Sequence, residues 1–417
     1  MALHRPAGLA RIYRNEAKIG GFLSALILSG IAAGLYKGIQ DNFLAEIVKI
    51  DGFGRGITEF FREIPGLVLI IILAAMYRFS ENLIFKIGLA LMAAGMAGMT
   101  ISGLMPPDFF PGLSGKVMVI SLMVLYSFGE HIAMPVKSAL SMHLAKENKG
   151  GASLGITSAL GFGGNVAGYL IVASVFFILS RLGFAKFSQF RIIYAGSAAL
   201  MIGAFLISGA MKDNEVKTER RRFYFAKKFT TFYMLEVFYG ARKQVFITFA
   251  PYVLILNYGA TTSTISLLLA ISAVCGFIAS PLIGRLIDRV GYKAVMIADT
   301  LILILVCFLY GFSHRIFPLH IAFYVVCVNY ILDAIISVAS MASNVYVQDI
   351  ASSQEEITVT ISTGISVNHI ISIIIAVIGG LLWKYAGIEI LFSLSAFLGL
   401  INSLYAATIK VEKKTRA

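Results

Sequence analysis

The residues that could do chemistry in this chain are a few ionisable and polar side chains inside long apolar segments. A charged side chain costs about 2.5–3.5 kcal/mol at the centre of a bilayer on insertion scales, so it is expected to face water, a partner or a ligand. The candidates for proton exchange are Glu130, Asp333, His131 and Asp41. The candidates for binding a small molecule are Arg242, Lys243, His369, Asn368, Tyr239, Lys137 and Asn329.

The first acidic candidate, Glu130, precedes His131 and shares a helical face with Lys137. Glu130 and Lys137 are about 10 Å apart along the helix axis, too far for a direct pair. One interpretation is a protonatable acid beside a histidine that titrates near neutrality. The other is a structural ion pair between Glu130 and another helix. In the first apolar segment, Lys37 and Asp41 are four residues apart and could neutralise each other.

The adjacent cations Arg242 and Lys243 are the most costly pair, and Lys243 shares a face with Tyr239. A substrate with a carboxylate or phosphate would use them well, because a guanidinium holds such groups through two hydrogen bonds. The alternative is that acidic residues of the protein neutralise the pair when no substrate is bound. Both can hold if substrate displaces an internal partner.

Two further polar stripes lie towards the C-terminus. The first consists of Asn329, Asp333, Ser337, Ser340 and Asn344. It indicates either the lining of a cavity or hydrogen bonding between packed helices. The second places His369 beside Asn368, for a proton-relay or substrate role or for simple hydrogen bonding. A charged group near the N-terminus, interpreted as an outer gate or as interfacial charges, comprises Arg55, Glu59, Arg62 and Glu63.

The segments that carry these residues are those of an integral membrane protein. The chain has 417 residues, 58% hydrophobic and 14% charged, whereas soluble domains carry about a quarter charged residues. Continuous apolar runs of about 20 residues or more predict helical spans and exclude an alternating, lipid-facing barrel. The predicted spans are 20–48, 57–78, 83–103, 116–144, 151–180, 192–211, 229–256, 262–284, 293–312, 317–348, 355–383 and 388–409.

The net charge of +13 is distributed as a topology signal. Most Lys and Arg fall on segments that share a side with the N-terminus, which predicts both termini in the cytoplasm by the positive-inside rule and excludes a nucleic-acid role. The densest basic block divides the chain into bundles at 1–211 and 229–417, joined by a linker at 212–228. The three cysteines form no metal-binding motif or disulfide framework.

A loop motif then gives a specific resemblance. The run from Gly284 to Lys293, with Asp288, Arg289 and Gly291 inside it, resembles the G-x-L-x-D-R-x-G-x-K signature of the major facilitator superfamily. A degraded first copy, in the run 78–82, lies 207 residues earlier and has Glu in place of Asp. The stretches 240–252 and 364–383 resemble a little-characterised bacterial branch of that superfamily.

The resemblance implies an all-α membrane fold of twelve transmembrane helices in two six-helix halves, working by alternating access. It implies that spans one, four, seven and ten line a central cavity, and that Gly284, Asp288, Arg289, Gly291 and Lys293 form a cytosolic gate. With the basic pair and the acids, this predicts a secondary transporter for a small organic anion, coupled to protons as a symporter.

Two alternatives stay open: efflux of amphipathic or cationic compounds by proton antiport, and a membrane sensor or scaffold without transport. No enzyme activity is expected, because no nucleophile–base pair or metal-ligand set is evident. The expected partners are the bilayer, a small-molecule substrate and protons. No cofactor is expected, and we predict a monomer in the inner or plasma membrane.

Overall fold

The structure is a computed structural model that describes residues 9–13, 16–76, 78–102, 115–209 and 225–409. Within these ranges the chain is helical, with no β-strand and one isolated bridge between Tyr13 and Ala145. The part of the predicted linker at 212–224 lies outside the described residues, as do both chain ends. The all-helical class predicted from the apolar runs is confirmed.

The long helices of the described ranges are numbered in chain order. They are α1 (Glu16–Asn42, continued by a π-helical turn at Phe43–Ile47), α2 (Gly52–Ala75), α3 (Glu81–Ser102), α4 (Gly115–Leu144), α5 (Gly150–Arg181), α6 (Lys186–Gly209), α7 (Thr230–Tyr258), α8 (Thr262–Val290), α9 (Tyr292–Ile316), α10 (Leu319–Ile350, with a 3₁₀ turn at Val338–Ser340) and α11 (Gln354–Ala407).

Nine helices of the described ranges are long and apolar enough to cross a membrane, judged by length and composition. The two long helices outside this group are α2 and α7, and both carry charged residues along their length. α2 carries Arg55, Glu59, Arg62 and Glu63, and α7 carries Glu236, Arg242 and Lys243. The prediction of a multi-pass membrane protein is confirmed at this level.

The longest helix, α11, contains a break at Gly387. This residue has φ 85° and ψ 173°, inside a run of 54 residues. That backbone region is essentially reserved for glycine, since a Cβ would clash there. The break falls between the predicted spans 355–383 and 388–409, where sequence patterning placed the end of one span and the start of the next.

The described residues form two compact units. Unit 1 consists of those within Met1–Val48, Ile64–Arg220 and Thr262–Ala270. Unit 2 consists of those within Lys49–Glu63, Arg221–Thr261 and Ile271–Ala417. The start of α2 therefore belongs to unit 2 and the start of α8 to unit 1.

Unit 1 is built on close contact between α1 and α5 through glycine. A Cβ on Gly164 would lie 2.9 Å from backbone atoms of Gly30 and Ile31. A Cβ on Gly168 would likewise collide with the α1 backbone at Ile31 and Leu35. Small residues at a helix crossing let two backbones approach closely, which is how helices gain packing contacts within a membrane.

Unit 2 is packed around aromatic side chains of α7, α9 and α11. The ring of Phe246 lies 5.5 Å from Tyr310 and 5.1 Å from Phe392, both in edge-on geometry. The buried Tyr310 hydroxyl donates to the Ala250 carbonyl at 2.8 Å. Because a buried phenol needs a hydrogen-bond partner, this contact lets the aromatic core include tyrosine without an unsatisfied polar group.

The α1–α5 crossing predicts the effect of adding one methyl group. Gly164→Ala should lower stability by about 1–3 kcal/mol, because the methyl meets backbone that cannot rotate away. Its neighbour Gly163 has nothing within 4 Å of an added Cβ. Gly163→Ala should therefore be neutral or stabilise by up to about 1 kcal/mol through helix propensity. Thermal unfolding of the two variants in detergent measures this, and equal Tm values would contradict the packing argument.

Candidate functional site

Unit 1 contains a cavity of about 260 Å³ between α1, α3, α4 and α5. Its charged lining consists of Lys37, Glu130 and Lys137, with aromatic walls from Tyr126 and Phe162. Lys37 Nζ donates to Glu130 Oε1 at 2.5 Å. Lys137 lines the same space without a hydrogen bond or ion pair to any described residue. With two cations and one anion, these three groups sum to one positive charge.

The acid and base predicted on one face of α4 thus reach one cavity. Their predicted neighbour His131 does not line it. His131 is buried, and its Nδ1 lies 2.9 Å from the Ser127 carbonyl one turn earlier in α4. Lys37, which was predicted to pair with Asp41, bonds Glu130, and Asp41 is not part of the cavity lining.

In unit 2 the adjacent cations of α7 have different surroundings. The Arg242 side chain is 2% exposed, and its Nη2 lies 3.1 Å from Asp299 Oδ2 on α9. Its guanidinium also sits 4.9 Å from the Tyr239 ring centroid. Lys243 is half-buried, 6.0 Å from the same ring, and makes no ion pair with the described residues. Arg242 is therefore held by the protein, whereas the ammonium of Lys243 is available.

The acids around Lys243 are Glu236 and Asp333, and its charge acts on both. Glu236 accepts hydrogen bonds from the Ser343 hydroxyl at 2.9 Å and from Asn368 Nδ2 at 3.4 Å. Asp333 is half-buried and makes no hydrogen bond or ion pair within the part of the chain that is described. Glu236, Asp333 and Lys243 thus lie near one another, and none of the three makes an ion pair with a described residue.

The polar stripe of α10 is divided by the 3₁₀ turn. Before the turn, Asn329 is buried and donates to the Val325 carbonyl of its own helix. At the turn, the Tyr239 hydroxyl donates to the Ser337 carbonyl at 3.0 Å, and Ser340 lines a small cavity. Beyond it, Asn344 is exposed. The stripe therefore combines interhelical bonding with cavity lining.

The start of α2 forms a buried network of charges within unit 2. Arg55 donates to Glu59 at 2.7 Å, and Arg62 bonds Glu59 at 2.9 Å through its Nε and Glu63 at 2.6 Å. His369 Nδ1 lies 2.8 Å from Glu63. Gln244 of α7 also donates to Glu59, at 3.0 Å. Glu59 is fully buried.

Residues 232–417 match the family model of the Major Facilitator Superfamily. A point mutant of the nucleoside transporter NupG aligns with 95% of this chain and all of its own, at 14% identity and a TM-score of 0.74. A D-xylose–proton symporter aligns with 95% of this chain and 98% of its own, at 15% identity and a TM-score of 0.69.

The C-terminal part of the chain, residues 232–417, is therefore similar in sequence to the Major Facilitator Superfamily. A bacterial homologue of the iron transporter ferroportin, in an inward-facing state, shares the fold at 11% identity and a TM-score of 0.72, over 94% of this chain and 98% of its own. No curated protein matches the sequence. The resemblance predicted from one loop motif is therefore confirmed by the family model over residues 232–417, and the chain shares its fold with these solved transporters.

The major facilitator loop motif lies between α8 and α9. Gly291 adopts φ 87° at the start of α9, a conformation that favours glycine. Lys293 Nζ donates to the Ile409 carbonyl at 2.9 Å, just beyond the end of α11. Asp288 and Arg289 are exposed and make no ion pair with described residues, and Gly284 is helical. In the degraded first copy, Glu81 pairs instead with His143 of α4 at 2.7 Å.

Sequence reasoning missed Asp299 as the partner of Arg242, Lys37 as the partner of Glu130, and the burial of the α2 charges. One signal was available for the last of these. Arg55, Glu59 and Arg62 are spaced at i, i+4 and i+7, so they share one helical face. Four charges in two turns of a helix that has to be desolvated require mutual pairing.

The buried α2 network predicts a large loss of stability when its central acid is removed. Glu59→Gln keeps the side-chain shape but leaves Arg55 and Arg62 with an uncompensated charge, at a cost of about 3–5 kcal/mol. Glu147 is an exposed acid in the loop before α5. Glu147→Gln should change stability by less than about 0.5 kcal/mol. Equal Tm values of the two variants in detergent would show that the network does not stabilise the fold.

Proposed function

We propose that this protein is a secondary transporter that moves a small organic anion across the membrane together with protons, by alternating access. The supporting observation is the cavity of unit 1, where Lys37 and Lys137 outnumber Glu130 and leave one surplus positive charge. The match of residues 232–417 to the Major Facilitator Superfamily model supports the carrier mechanism. A volume of about 260 Å³ lies just below the range of drug-sized pockets, which favours a small metabolite.

The topology in this proposal has twelve crossings. The nine apolar helices are joined by α2 and α7, and Gly387 divides α11 into two crossings. The two halves are 1–211 and 229–417, with a cytosolic linker at 212–228 and both termini in the cytoplasm. The protein is proposed to act as a monomer in the inner or plasma membrane.

The proposed substrate-binding residues fall into two groups, according to whether their side chains already bond other groups of the protein. Lys137 and Lys243 have no ion pair among the described residues, so either can bind an anionic group without losing a partner. The other proposed residues already bond groups of the protein: Arg242, Tyr239, Asn368, His369 and Asn329. They are proposed as supporting residues, which a substrate would engage after displacing those bonds.

The proposed coupling runs through the Lys37–Glu130 pair. An anion bound at Lys137 would place a second negative charge near Glu130 and disfavour its ionised form. Protonation of Glu130 would then release Lys37 to bind the anion. Substrate and proton thereby assist each other's binding, which is the thermodynamic requirement for symport. Asp333, His131 and Asp41 are proposed as further groups on the proton route.

Removing the surplus cation should weaken anion binding selectively. A hydrogen bond to a charged group contributes about 1.5–3 kcal/mol, so Lys137→Met should raise the KM for the transported anion by roughly 10–100-fold. Lys149, which is exposed in the loop before α5, supplies the control Lys149→Met. Uptake into proteoliposomes against a panel of small carboxylates and phosphates measures this. An unchanged KM in the Lys137 variant rules out its role in anion recognition.

Removing the titrating acid should separate transport from the proton gradient. Glu130→Gln should abolish stimulation of uptake by an inward pH gradient, while exchange of labelled for unlabelled substrate continues. In the wild type, uptake should rise as the external pH falls, because the protonated form of Glu130 binds substrate. If wild-type uptake responds to neither the pH gradient nor the membrane potential, proton coupling is refuted. If a pH gradient still drives uptake in Glu130→Gln, the assignment of Glu130 as the proton carrier is refuted.

Efflux of cationic compounds by proton antiport is the second candidate. It is favoured by the acids Glu236 and Asp333 of unit 2, which have no direct ion pair. Increased susceptibility of a deletion strain to lipophilic cations, with no carboxylate or phosphate uptake in proteoliposomes, would select this candidate. Absence of transport in both assays would select the sensor or scaffold alternative.

A further inference from the structure

A second, much smaller cavity lies in unit 2 where α7, α9, α10 and α11 meet. Its volume is about 20 Å³. A cavity needs roughly 10–15 Å³ on this measure to hold one water molecule, so the space accommodates a single atom of that size. The cavity adjoins the 3₁₀ turn Val338–Ser340 of α10. A 3₁₀ stretch inside an α-helix often marks a functional hinge or local strain.

The polar wall of this cavity is made of oxygen-bearing side chains. Carboxylates come from Glu236 and Asp299, hydroxyls from Ser340 and Ser343, and an amide from Asn402. Asn402 is 7% exposed, and its Oδ1 is buried with no hydrogen-bond partner. An unsatisfied buried acceptor costs about 1–3 kcal/mol. The cavity therefore presents an acceptor that lacks its donor or cation.

The charges around the cavity are not balanced by direct contact. Asp299 is matched by Arg242 at 3.1 Å. Glu236 has only the neutral donors Ser343 and Asn368, while Lys243 acts on it without an ion pair. One carboxylate at the cavity wall thus has no directly bound cation among the described residues.

We propose that this cavity binds a sodium ion, with Glu236, Asp299 and Asn402 as its principal oxygen ligands. Hard cations prefer carboxylate and carbonyl oxygens, which this wall supplies. Magnesium usually keeps several of its waters, for which a space of one water has no room. A water molecule could satisfy Asn402, but it would leave the charge of Glu236 without a bound counterion.

The supporting residues hold the ligands in place. Thr300 Oγ1 lies 3.3 Å from Asp299 Oδ1, and Ser403 donates to Thr300 Oγ1 at 2.7 Å. These contacts tie the end of α11, which carries Asn402, to α9, which carries Asp299. A site so braced is preorganised for a ligand. A role for this sodium ion in driving transport would rest on the proposed function. The binding of sodium to the cavity does not.

The test compares sodium with an inert cation in the purified full-length protein. At constant ionic strength, NaCl in place of choline chloride should raise the Tm with a saturating dose dependence, and ²²Na⁺ should bind at one site per chain. Asn402→Ala should weaken ²²Na⁺ binding by more than about tenfold and remove the shift. Ser272→Ala serves as the control, since Ser272 is also 7% exposed with an unpartnered Oγ but lies outside the cavity.

Glu236→Gln provides a second variant that keeps the size and one oxygen of the side chain. It should also weaken ²²Na⁺ binding by more than about tenfold, even if Asn402→Ala fails to fold. Equal Tm values in sodium, potassium and choline with no bound ²²Na⁺ overturn the proposal and leave a water site. Sodium binding that survives both variants overturns the location.

These outcomes are independent of the transport assays. Suppose that anion uptake depends on pH but not on sodium, and that the protein binds no ²²Na⁺. This result would reject the sodium site and support the proposed function. Sodium binding lost in Asn402→Ala, in a protein that carries no solute, would reject the proposed function and keep the site.

Discussion

The cost of an ionised side chain in a low-dielectric interior governs the arrangement of this protein. The completely desolvated charges, Glu59 and Arg242, both have ion-pair partners. Charges without an ion pair, Lys137, Lys243 and Asp333, are only partly buried. Burial and pairing thus separate charges that hold the fold together from charges that remain available. The second class supplies the candidates for binding, because an available charge can gain a partner without first losing one.

Each unit has a local excess of charge, and the two excesses are opposite in sign. The unit 1 cavity has two lysines against one glutamate. In unit 2, Arg242 and Lys243 face three acids, Glu236, Asp299 and Asp333. An anion would compensate the first excess and one monovalent cation the second. Separate sites of opposite preference are a physical basis for moving a charged solute together with an ion, because the pair carries less net charge than either alone.

Local features were predictable from the sequence, and long-range pairings were not. Apolar runs located the spans, and the change of pattern after residue 383 located the break at Gly387. The helical period brought Glu130 and Lys137 to one cavity, because i and i+7 share a face in any α-helix. The pairing of Lys37 with Glu130 depends on how α1 and α4 pack, because the two residues are 93 positions apart in the chain. No single-sequence pattern encodes that packing.

The separation of Arg242 from Lys243 shows the same limit. As neighbours in sequence they differ by about 100° around α7, so one faces α9 and is buried while the other stays half-exposed. Sequence alone treated them as one cationic pair, although the helix geometry already required two environments.

The polar groups around the 3₁₀ turn of α10 form a nearly complete set of hydrogen bonds. Tyr239 and Ser340 both donate to the Ser337 carbonyl, and Ser343 donates to Glu236. Of the described residues that line the small cavity, Asn402 is the only one with an unpartnered side-chain atom. Where every neighbour is satisfied, a remaining orphan acceptor is not explained by loose packing. A ligand in the cavity would satisfy it, and the adjacent Glu236, which has no ion pair among the described residues, favours a positive ligand when it is ionised.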